Sequence, residues 1–294
     1  MKLAAAAYRM DFLDSWDAYA RKIAAHVREA AEQGADLLVF PEYGAMELAT
    51  LAGRATAGNL EASLHAVSDL VPRADALHAD LAARHRVHIL AASAPVFDAA
   101  ISDRPVNRAR LFAPSGAAGH QDKQIMTRFE REDWGVVAGG PLTLFDTALG
   151  RIGILICYDS EYPLLGHALR EADILLVPSC TEAAHGYHRV RIGAMARALE
   201  QQCITVMAST TGACDWSEAV DTNCGAGGIF APPDTGFPAD GILACGALDA
   251  PGWTLAELDL DAVARVRKDG VVLNRTHWVE QAGRDSPAGM RSLK

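Results

Sequence analysis

The sequence predicts an α/β fold, and two patterns carry that prediction. First, several apolar segments of strand length are continuous rather than alternating, which is typical of strands that are buried on both faces. Second, segments in which apolar residues recur at helical spacing lie between them, as in the crossover connections of parallel strands. The chain has 294 residues, of which 50% are hydrophobic, and it can therefore bury a large core. Because no linker, repeat or low-complexity block divides it, a single α/β domain is the simplest interpretation.

The N-terminal elements begin this alternation of strands and helices. Residues 3–7 are apolar and predict a short strand. A helix is predicted from an N-cap at Ser15 to a stop at Gly34, because apolar residues recur at helical spacing between them. Residues 35–44 then contain a continuous apolar run, ended by Pro41, that predicts the second strand.

The rest of the chain continues the alternation up to about residue 270. Further strands are predicted at residues 87–95, 107–116, 119–124, 151–157, 172–179, 203–209, 226–231, 241–248 and 252–258. Further helices are predicted at residues 59–84, 188–202 and 259–268. We expect the fourth and fifth strands to form a hairpin, and the last three to form hairpins as well. The expected domain therefore covers residues 1–270, and residues 271–294 form a tail that packs on the domain or on a partner subunit.

The composition argues against several classes of protein. The net charge of −10 is unlike that of a nucleic-acid-binding protein, which needs a clustered basic face. No apolar run approaches the roughly 20 residues of a membrane-spanning helix. The N-terminal MKLAAAAYRMDF could be a signal peptide, but its apolar stretch is short and Arg9 and Asp11 interrupt it. The six cysteines are scattered without a CxxC pair, as expected for free thiols in a reducing compartment, so we expect a cytoplasmic protein.

Three reactive residues stand at the ends of predicted strands. Glu42 follows VFP, Lys123 ends HQDK, and Cys157 ends ILIC. Ligands of such sheets gather where the strands end at their carboxyl edge. Taken singly, each residue has an ordinary interpretation: an exposed loop carboxylate, a solvated lysine, and a small buried thiol.

Together these three residue types suit nucleophilic catalysis. A thiol needs a base to form the thiolate, and a carboxylate can be that base when burial or a like charge raises its pKa. A lysine beside both would stabilise the thiolate and an oxyanion. The combination therefore favours a catalytic interpretation over three unrelated structural ones.

Three motifs in order resemble those of the nitrilase, or carbon–nitrogen hydrolase, superfamily. They are FPEYGAMEL, DKQIMTRFERE followed by a tryptophan, and GILICYDSEYP, and RIGAMARALEQQCITVMAS is also similar to the family's stretch after the cysteine. The resemblance covers about residues 1–270 and implies a four-layer αββα sandwich. It also implies a catalytic triad of Glu42, Lys123 and Cys157. FEREDWG resembles the nitrilase run E-R-x-x-W-G, which makes Glu130 the expected supporting glutamate and Glu132 the alternative.

The resemblance also assigns roles around the nucleophile. Cys157 is expected on a sharp strand-to-helix turn, where the backbone N–H of Tyr158 can donate to an oxyanion. Tyr43, Trp134 and Cys180 are further candidates for the wall of the substrate site. Cys180 ends the neighbouring strand and is the rival nucleophile, although it lacks the turn.

Some polar residues near these motifs have structural interpretations. Asp159 is expected to fix the turn after Cys157 rather than to act as a catalytic acid, and so is Glu161. The histidines at 85–88 and 185–188 lack a second cluster of ligands, so no metal is expected. The implied chemistry needs no organic cofactor.

The predicted function is hydrolysis of a small, non-peptide amide or carbamoyl amine through a thioester. The alternatives are a nitrilase or an N-acyltransferase that uses the same triad. A binding protein without activity is the alternative from another class. The residues after the cysteine, YDSEYP, resemble amidase-like branches, whereas ERxxW resembles the nitrilases. The family forms dimers and larger assemblies, so we expect a homo-oligomer with a small-molecule substrate.

Overall fold

The computed structural model describes residues 1–284 and 286–293. The strands are β1 (Lys2–Arg9), β2 (Leu37–Val39), β3 (His88–Val96), β4 (Val106–Phe112), β5 (Ala118–Asp122), β6 (Phe145–Thr147), β7 (Gly150–Ile154), β8 (Ile174–Ser179), β9 (Ile204–Ala213), β10 (Thr222–Asn223), β11 (Gly228–Phe230), β12 (Ile242–Cys245) and β13 (Gly252–Glu257). The α-helices are α1 (Trp16–Glu32), α2 (Arg54–Ala57), α3 (Leu60–His85), α4 (Arg128–Glu132), α5 (Pro163–Ala168), α6 (Ala184–Gln201), α7 (Leu260–Asp269) and α8 (Asn274–His277). Short 3-10 helices lie at Gly44–Ala52, Cys157–Glu161, Glu218–Val220 and Trp278–Gln281.

The strands form two halves that meet along β1 and β9. The order is β5-β4-β3-β2-β1-β9-β8-β7-β6, and the two halves join where the end of β1 pairs in parallel with β9. Parallel pairs lie in the middle of each half, and the outer pairs β3–β4, β4–β5 and β6–β7 are antiparallel. Helix α3 packs on β3 and β4 and α1 packs on α3, whereas α6 packs on β8 and β9. The predicted αββα sandwich is confirmed.

The continuous apolar strands are buried on both faces, as their pattern predicts. All three residues of β2 are fully buried, and all six residues of β8 are buried. Burying one such side chain stabilises a fold by about 1.5–3 kcal/mol relative to leaving it exposed. The core of the molecule therefore lies on and between the strands that deliver the site.

Helix α1 begins and ends where its sequence signals predict. The Ser15 side chain accepts a hydrogen bond from the backbone N–H of Ala18, which is an N-cap contact. Gly34 has a φ of 81°, a left-handed conformation that favours glycine after the helix end. The buried residues Tyr19, Ile23 and Val27 recur every four positions and face the core.

The elements that carry the site differ from prediction in two places. Strand β7 ends at Ile154, so Cys157 is the first residue of a 3-10 helix rather than the last residue of a strand. No helix is predicted directly after the second strand, but residues Gly44–Ala52 form a largely buried 3-10 helix. This segment carries the buried Glu47, whose carboxylate accepts a hydrogen bond from the Tyr8 hydroxyl. An apolar pattern cannot reveal such a helix, because side-chain contacts to distant residues hold it.

The start of the C-terminal tail contacts the domain beside α5. The ring of Trp278 stacks on His167 at 4.4 Å between centroids, and Arg275 forms an ion pair with Glu171 at 2.6 Å. Two residues of the tail, Asp285 and Lys294, lie outside the described residues. Within the described part of the chain, no helix combines the length and the apolar character that crossing a bilayer requires.

Candidate active site

Cys157 lies at a strained turn between β7 and α5. Its φ is 49°, in the left-handed region that residues other than glycine rarely adopt. Such a conformation costs on the order of 1–3 kcal/mol and persists only where surrounding contacts hold it. The Ser160 hydroxyl donates to the Cys157 carbonyl at 2.7 Å, and Pro163 starts α5 at its first position. The turn directs the buried thiol into a cavity.

Glu42 and Lys123 meet beside this thiol. Lys123 Nζ donates to Glu42 Oε1 at 2.7 Å, and both side chains are almost completely buried. The backbone N–H of Cys180 donates to Glu42 Oε2 at 3.0 Å. The Cys157 Sγ lies 3.8 Å from the Cys180 carbonyl oxygen, and the charge of Glu42 acts on this thiol. The three residues that the motifs single out therefore form one contact cluster.

Glu130 is the second carboxylate of the cluster. Its Oε2 accepts from Lys123 Nζ at 2.7 Å, and its Oε1 accepts from the Tyr43 hydroxyl at 2.7 Å. Thr127 caps helix α4 in a capping box with Glu130, so the helix start itself orients this carboxylate. Glu132 instead points to solvent and pairs with Arg128. Of the two glutamates considered, Glu130 is the one in the cluster.

The pKa values of Glu42 and Glu130 are shifted in opposite directions. Burial raises the pKa of Glu42 above its usual range, although Lys123 opposes the shift, and the nearby charge of Glu130 adds to it. Burial also acts to raise the pKa of Glu130, but Lys123, Thr127 and Tyr43 outweigh it and bring that pKa below its usual value. Glu130 thus favours its ionised form, whereas Glu42 takes up a proton more readily than an ordinary glutamate.

The thiol and the amine also have shifted pKa values. Burial and the charge of Glu42 raise the pKa of Cys157, so the resting thiol is neutral. Burial opposes the charge on Lys123, but the carboxylates of Glu130 and Glu42 prevail and raise the pKa of its ammonium. The cluster therefore rests as a neutral thiol with an adjacent base, rather than as a preformed thiolate.

The other predicted site residues line the same cavity. It measures about 260 Å³, and Tyr158, Tyr43, Trp134 and Cys180 contribute to its wall. The Trp134 ring lies 4.7 Å from that of Tyr43, between centroids, and forms an aromatic side of the cavity. The remaining lining residues are mainly polar and come from α4, the 3-10 helix of Cys157, α6 with the segment before it, and residues 218–222: Thr127, Phe129, Glu161, Thr181, Glu182, Ala183, His185, Gly186, Arg189, Glu218, Ala219, Val220, Asp221 and Thr222.

Asp159 links the turn of Cys157 to the segment after Lys123. It is fully buried, and its carboxylate accepts from the backbone N–H groups of Ile125 at 2.8 Å, Gln124 at 3.1 Å and Ile156 at 3.3 Å. Burial raises the pKa of Asp159 to about 7. The carboxylate thus fixes two turns relative to each other, in keeping with the predicted structural role.

Asn107 is a site residue that the motifs do not reveal. It lies on β4, is fully buried, and donates from Nδ2 to Glu42 Oε1 at 2.9 Å and to Glu130 Oε1 at 3.4 Å. Its only signal in the sequence is a polar amide inside a predicted strand. Only the tertiary structure shows that this amide faces both carboxylates.

Among the described residues, no three His, Cys, Asp or Glu side chains gather in a way that could hold a metal ion.

The rival thiol of Cys180 lies 3.3 Å from Asn223 Oδ1, while its backbone contacts Glu42 and Cys157. The choice of Cys157 as nucleophile stays a prediction.

Comparison with known proteins assigns the family. The family model of the carbon-nitrogen hydrolases matches residues 2–268. A probable hydrolase of Bacillus subtilis, YhcX, is 33% identical over 268 residues, which are 90% of this chain and 51% of that protein. The chain therefore spans about half the length of this relative. The deaminated glutathione amidase of Synechocystis is 27% identical over 81% of this chain and 85% of its own length.

A solved structure of similar fold is that of an amidase from Nesterenkonia sp. AN1, in which acrylamide has added to the active-site cysteine. It has a TM-score of 0.67, is 21% identical, and covers 91% of this chain and 96% of its own. At that identity the likeness concerns the fold.

Proposed function

This chain belongs to the carbon-nitrogen hydrolase family, and we propose that it is a cysteine-dependent amidohydrolase of small, non-peptide amides or carbamoyl amines. The observation that carries the proposal is the contact cluster of Cys157, Glu42, Lys123 and Glu130 in one cavity. The relatives named as a hydrolase and as an amidase support the same class of reaction. The cavity of about 260 Å³ suits a small acyl group rather than a folded peptide.

In the first half of the proposed reaction, the thiol attacks the amide. Glu42 takes the proton of Cys157 as the Sγ–carbon bond forms, and the carbonyl becomes a tetrahedral oxyanion. Lys123 and the backbone N–H of Tyr158 stabilise the negative oxygen. Glu42 then passes its proton to the departing nitrogen, the C–N bond breaks, and ammonia or an amine leaves a thioester on Cys157.

In the second half, water releases the acid. Glu42 takes a proton from the water as its oxygen attacks the thioester carbon, and the second oxyanion is held in the same way. When the C–S bond breaks, the proton returns to the Cys157 sulfur and the carboxylic acid departs. Glu130 stays ionised throughout, which holds Lys123 in place and keeps Lys123 charged.

A screen for ammonia release tests this proposal. Small primary amides, ω-amides and carbamoyl amines are assayed with the wild-type protein and with Cys157→Ala. We expect turnover of at least one compound, abolished in Cys157→Ala while the thermal melting curve persists, since loss of one sulfur leaves little cavity. The matched control is Cys180→Ala, which should keep most of the activity. Equal loss in both variants would contradict the choice of nucleophile.

Amides are expected to react faster than nitriles with the same side chain. The residues after Cys157 resemble those of amidase-like branches and would border the scissile carbon, and in the proposed mechanism Glu42 protonates the departing amine. We expect matching nitriles to be at least about tenfold slower, a difference of roughly 1.4 kcal/mol in barrier. Faster nitrile turnover across such pairs would assign the chain to the nitrilases instead.

A further inference from the structure

The two oxygens of Glu42 have different hydrogen-bond environments. Oε1 accepts from Lys123 Nζ at 2.7 Å and from Asn107 Nδ2 at 2.9 Å. Oε2 accepts from the Cys180 backbone N–H at 3.0 Å. A carboxylate oxygen has two lone-pair positions, so Oε1 is saturated and Oε2 keeps one position free.

The backbone of Cys180 lies next to both Glu42 Oε2 and the Cys157 thiol. Cys180 donates to Oε2 through its N–H, and its carbonyl oxygen is 3.8 Å from Cys157 Sγ. The thiol and Oε2 are thus both neighbours of the backbone of Cys180. A proton that leaves Cys157 reaches Oε2 without displacing a donor, whereas Oε1 would first have to lose one.

The orientation of Asn107 is determined by its surroundings. Its amide group faces the carboxylates of Glu42 and Glu130, and the reverse orientation would place Oδ1 against two negative groups. Its Oδ1 is buried and has no hydrogen-bond partner among the described residues. The backbone of Asn107 is held as well, because its carbonyl accepts from the Lys123 N–H at 2.9 Å. An amide kept with one unsatisfied oxygen indicates that its N–H donors are what the site needs.

We propose that Asn107 is a positioning residue that occupies the second lone pair of Glu42 Oε1 and thereby makes Oε2 the oxygen that receives the Cys157 proton. The proposal rests on the proposed roles of Glu42 and Cys157. The same N–H stabilises the ionised form of Glu42, because a donor to a carboxylate favours its charged state. Asn107 therefore keeps this buried base ionised at a lower pH than burial alone would allow.

Other groups also act on Glu42, and the test must leave them in place. The charged and titratable side chains around it are Lys123, Glu130, Cys157, Cys180, Tyr43 and Asp159. None of them is altered by the substitution Asn107→Leu, which keeps the approximate volume and removes both N–H donors. A shift in the pH dependence of the site would then report the lost donor.

The experiment measures alkylation of Cys157 by iodoacetamide between pH 5 and 9, quantified by peptide mass spectrometry. Iodoacetamide is small and does not require knowledge of the substrate. The exposed Cys245 in the same molecule is an internal reference for the reagent. Wild-type Cys157 should show a pH-dependent increase in rate that reports ionisation of Glu42, and Glu42→Gln should abolish this step.

In Asn107→Leu we expect the midpoint to move upward by about one to two pH units, since a hydrogen bond to an ionised group is lost. The rate should fall ten- to a hundredfold below the midpoint and recover at high pH. The matched control is Gln121→Leu, which removes a buried amide that bonds only to backbone groups outside the site. That variant should follow the wild-type profile.

Each result separates the possibilities. An unshifted midpoint in Asn107→Leu, or a loss that is uniform at all pH values, would overturn the role of Asn107 while leaving the amidase proposal intact. A pH step that survives in Glu42→Gln would instead undermine the proposed base and nucleophile. If Asn107→Leu does not fold, Asn107→Asp carries the same test. It has the shape of asparagine without the amide donors, and its added charge should move the midpoint further upward.

Discussion

Glu42 and Glu130 are the same residue type, yet their surroundings drive their pKa values in opposite directions. Three donors, from Lys123, Thr127 and Tyr43, surround Glu130 and lower its pKa. Burial dominates at Glu42 and raises its pKa. This difference fits the proposed roles, in which Glu130 is the ionised partner of the lysine and Glu42 is the base that exchanges protons.

The charged pair can be tested at this scale by Glu42→Gln and Lys123→Met. Each variant keeps the approximate shape of the side chain; Glu42→Gln removes the proposed base, and Lys123→Met removes the proposed oxyanion donor. We expect each to reduce kcat/KM for the best amide by at least a hundredfold, comparable to the ~3–4 kcal/mol of one oxyanion-hole donor. The control is Arg128→Met, which removes an exposed cation on α4, the helix that carries Glu130. Activity within about tenfold of wild type in either variant would argue against these roles.

At the scale of elements, three turns converge at the carboxyl edge of the strands. The segment after β2 brings Glu42, that after β7 brings Cys157, and that after β5 brings Lys123. Asp159 joins the last two through backbone hydrogen bonds. The precision of the site therefore depends on contacts between turns, and not on the strands alone.

Asp159 should make stability depend on pH in a defined direction. Its pKa is about 7 in the folded protein and roughly 4 in an unfolded chain, so the native state binds the extra proton between these values. Stability from this group is present at low pH and is lost as the pH rises toward 7. The difference in free energy of unfolding between Asp159→Asn and wild type should therefore shift in favour of the variant by roughly 2–3 kcal/mol when the pH rises from 5 to 8. Urea denaturation at both pH values measures it, and a difference that stays constant would contradict the raised pKa.

Helix α6 packs against the turn of Cys157, and Gly193 is one of the residues in contact with it. A Cβ at this position would lie 2.8 Å from the carbonyl oxygen of Ser160, which belongs to the turn. Alanine in place of a helical glycine normally stabilises by about 1 kcal/mol, but a clash with backbone outweighs that gain. We expect Gly193→Ala to lower both the melting temperature and kcat, whereas His188→Ala, at an exposed position on the same helix, should change neither. A rise in melting temperature with unchanged kcat would show that the turn tolerates the displacement.

At the scale of the whole molecule, apolar side chains beside the site remain exposed. Leu164 on α5 is 76% exposed and Ile192 on α6 is 67% exposed. Exposed apolar patches are typical of protein–protein interfaces, and the two helices that carry these residues pack against each other. They support the expectation of a homo-oligomer that associates through the helices next to the active site.

We predict that the wild-type protein is at least a dimer at micromolar concentration and that Leu164→Glu with Ile192→Glu shifts it toward the monomer. Light scattering coupled to gel filtration gives the mass directly. The control is Ile101→Glu, a substitution of an exposed apolar residue in the loop between β3 and β4. A monomeric wild-type protein would refute the prediction, and a double variant that keeps the wild-type mass would place the interface elsewhere.

The sequence by itself determined the class of the fold, the main elements and the three reactive residues. Continuous apolar runs and helical periodicity are local patterns, and they predicted β1, α1 and α3 to within one or two residues of the observed bounds. The reactive residues were found because motifs place them directly after strands. Their neighbours in the cavity, Tyr43 and Trp134, were predicted through the family resemblance.

Tertiary structure alone decided how these residues act on each other. Glu42 contacts Lys123 and Asn107, and each of these contacts joins segments more than 60 residues apart along the chain. The burial that raises the pKa of Glu42 also exists only in the folded chain. The left-handed conformation of Cys157 is likewise imposed by its surroundings, since nothing in its local sequence favours a positive φ. Local sequence patterns encode strands and helices, whereas pKa values and hydrogen-bond saturation arise only when distant segments exclude water together.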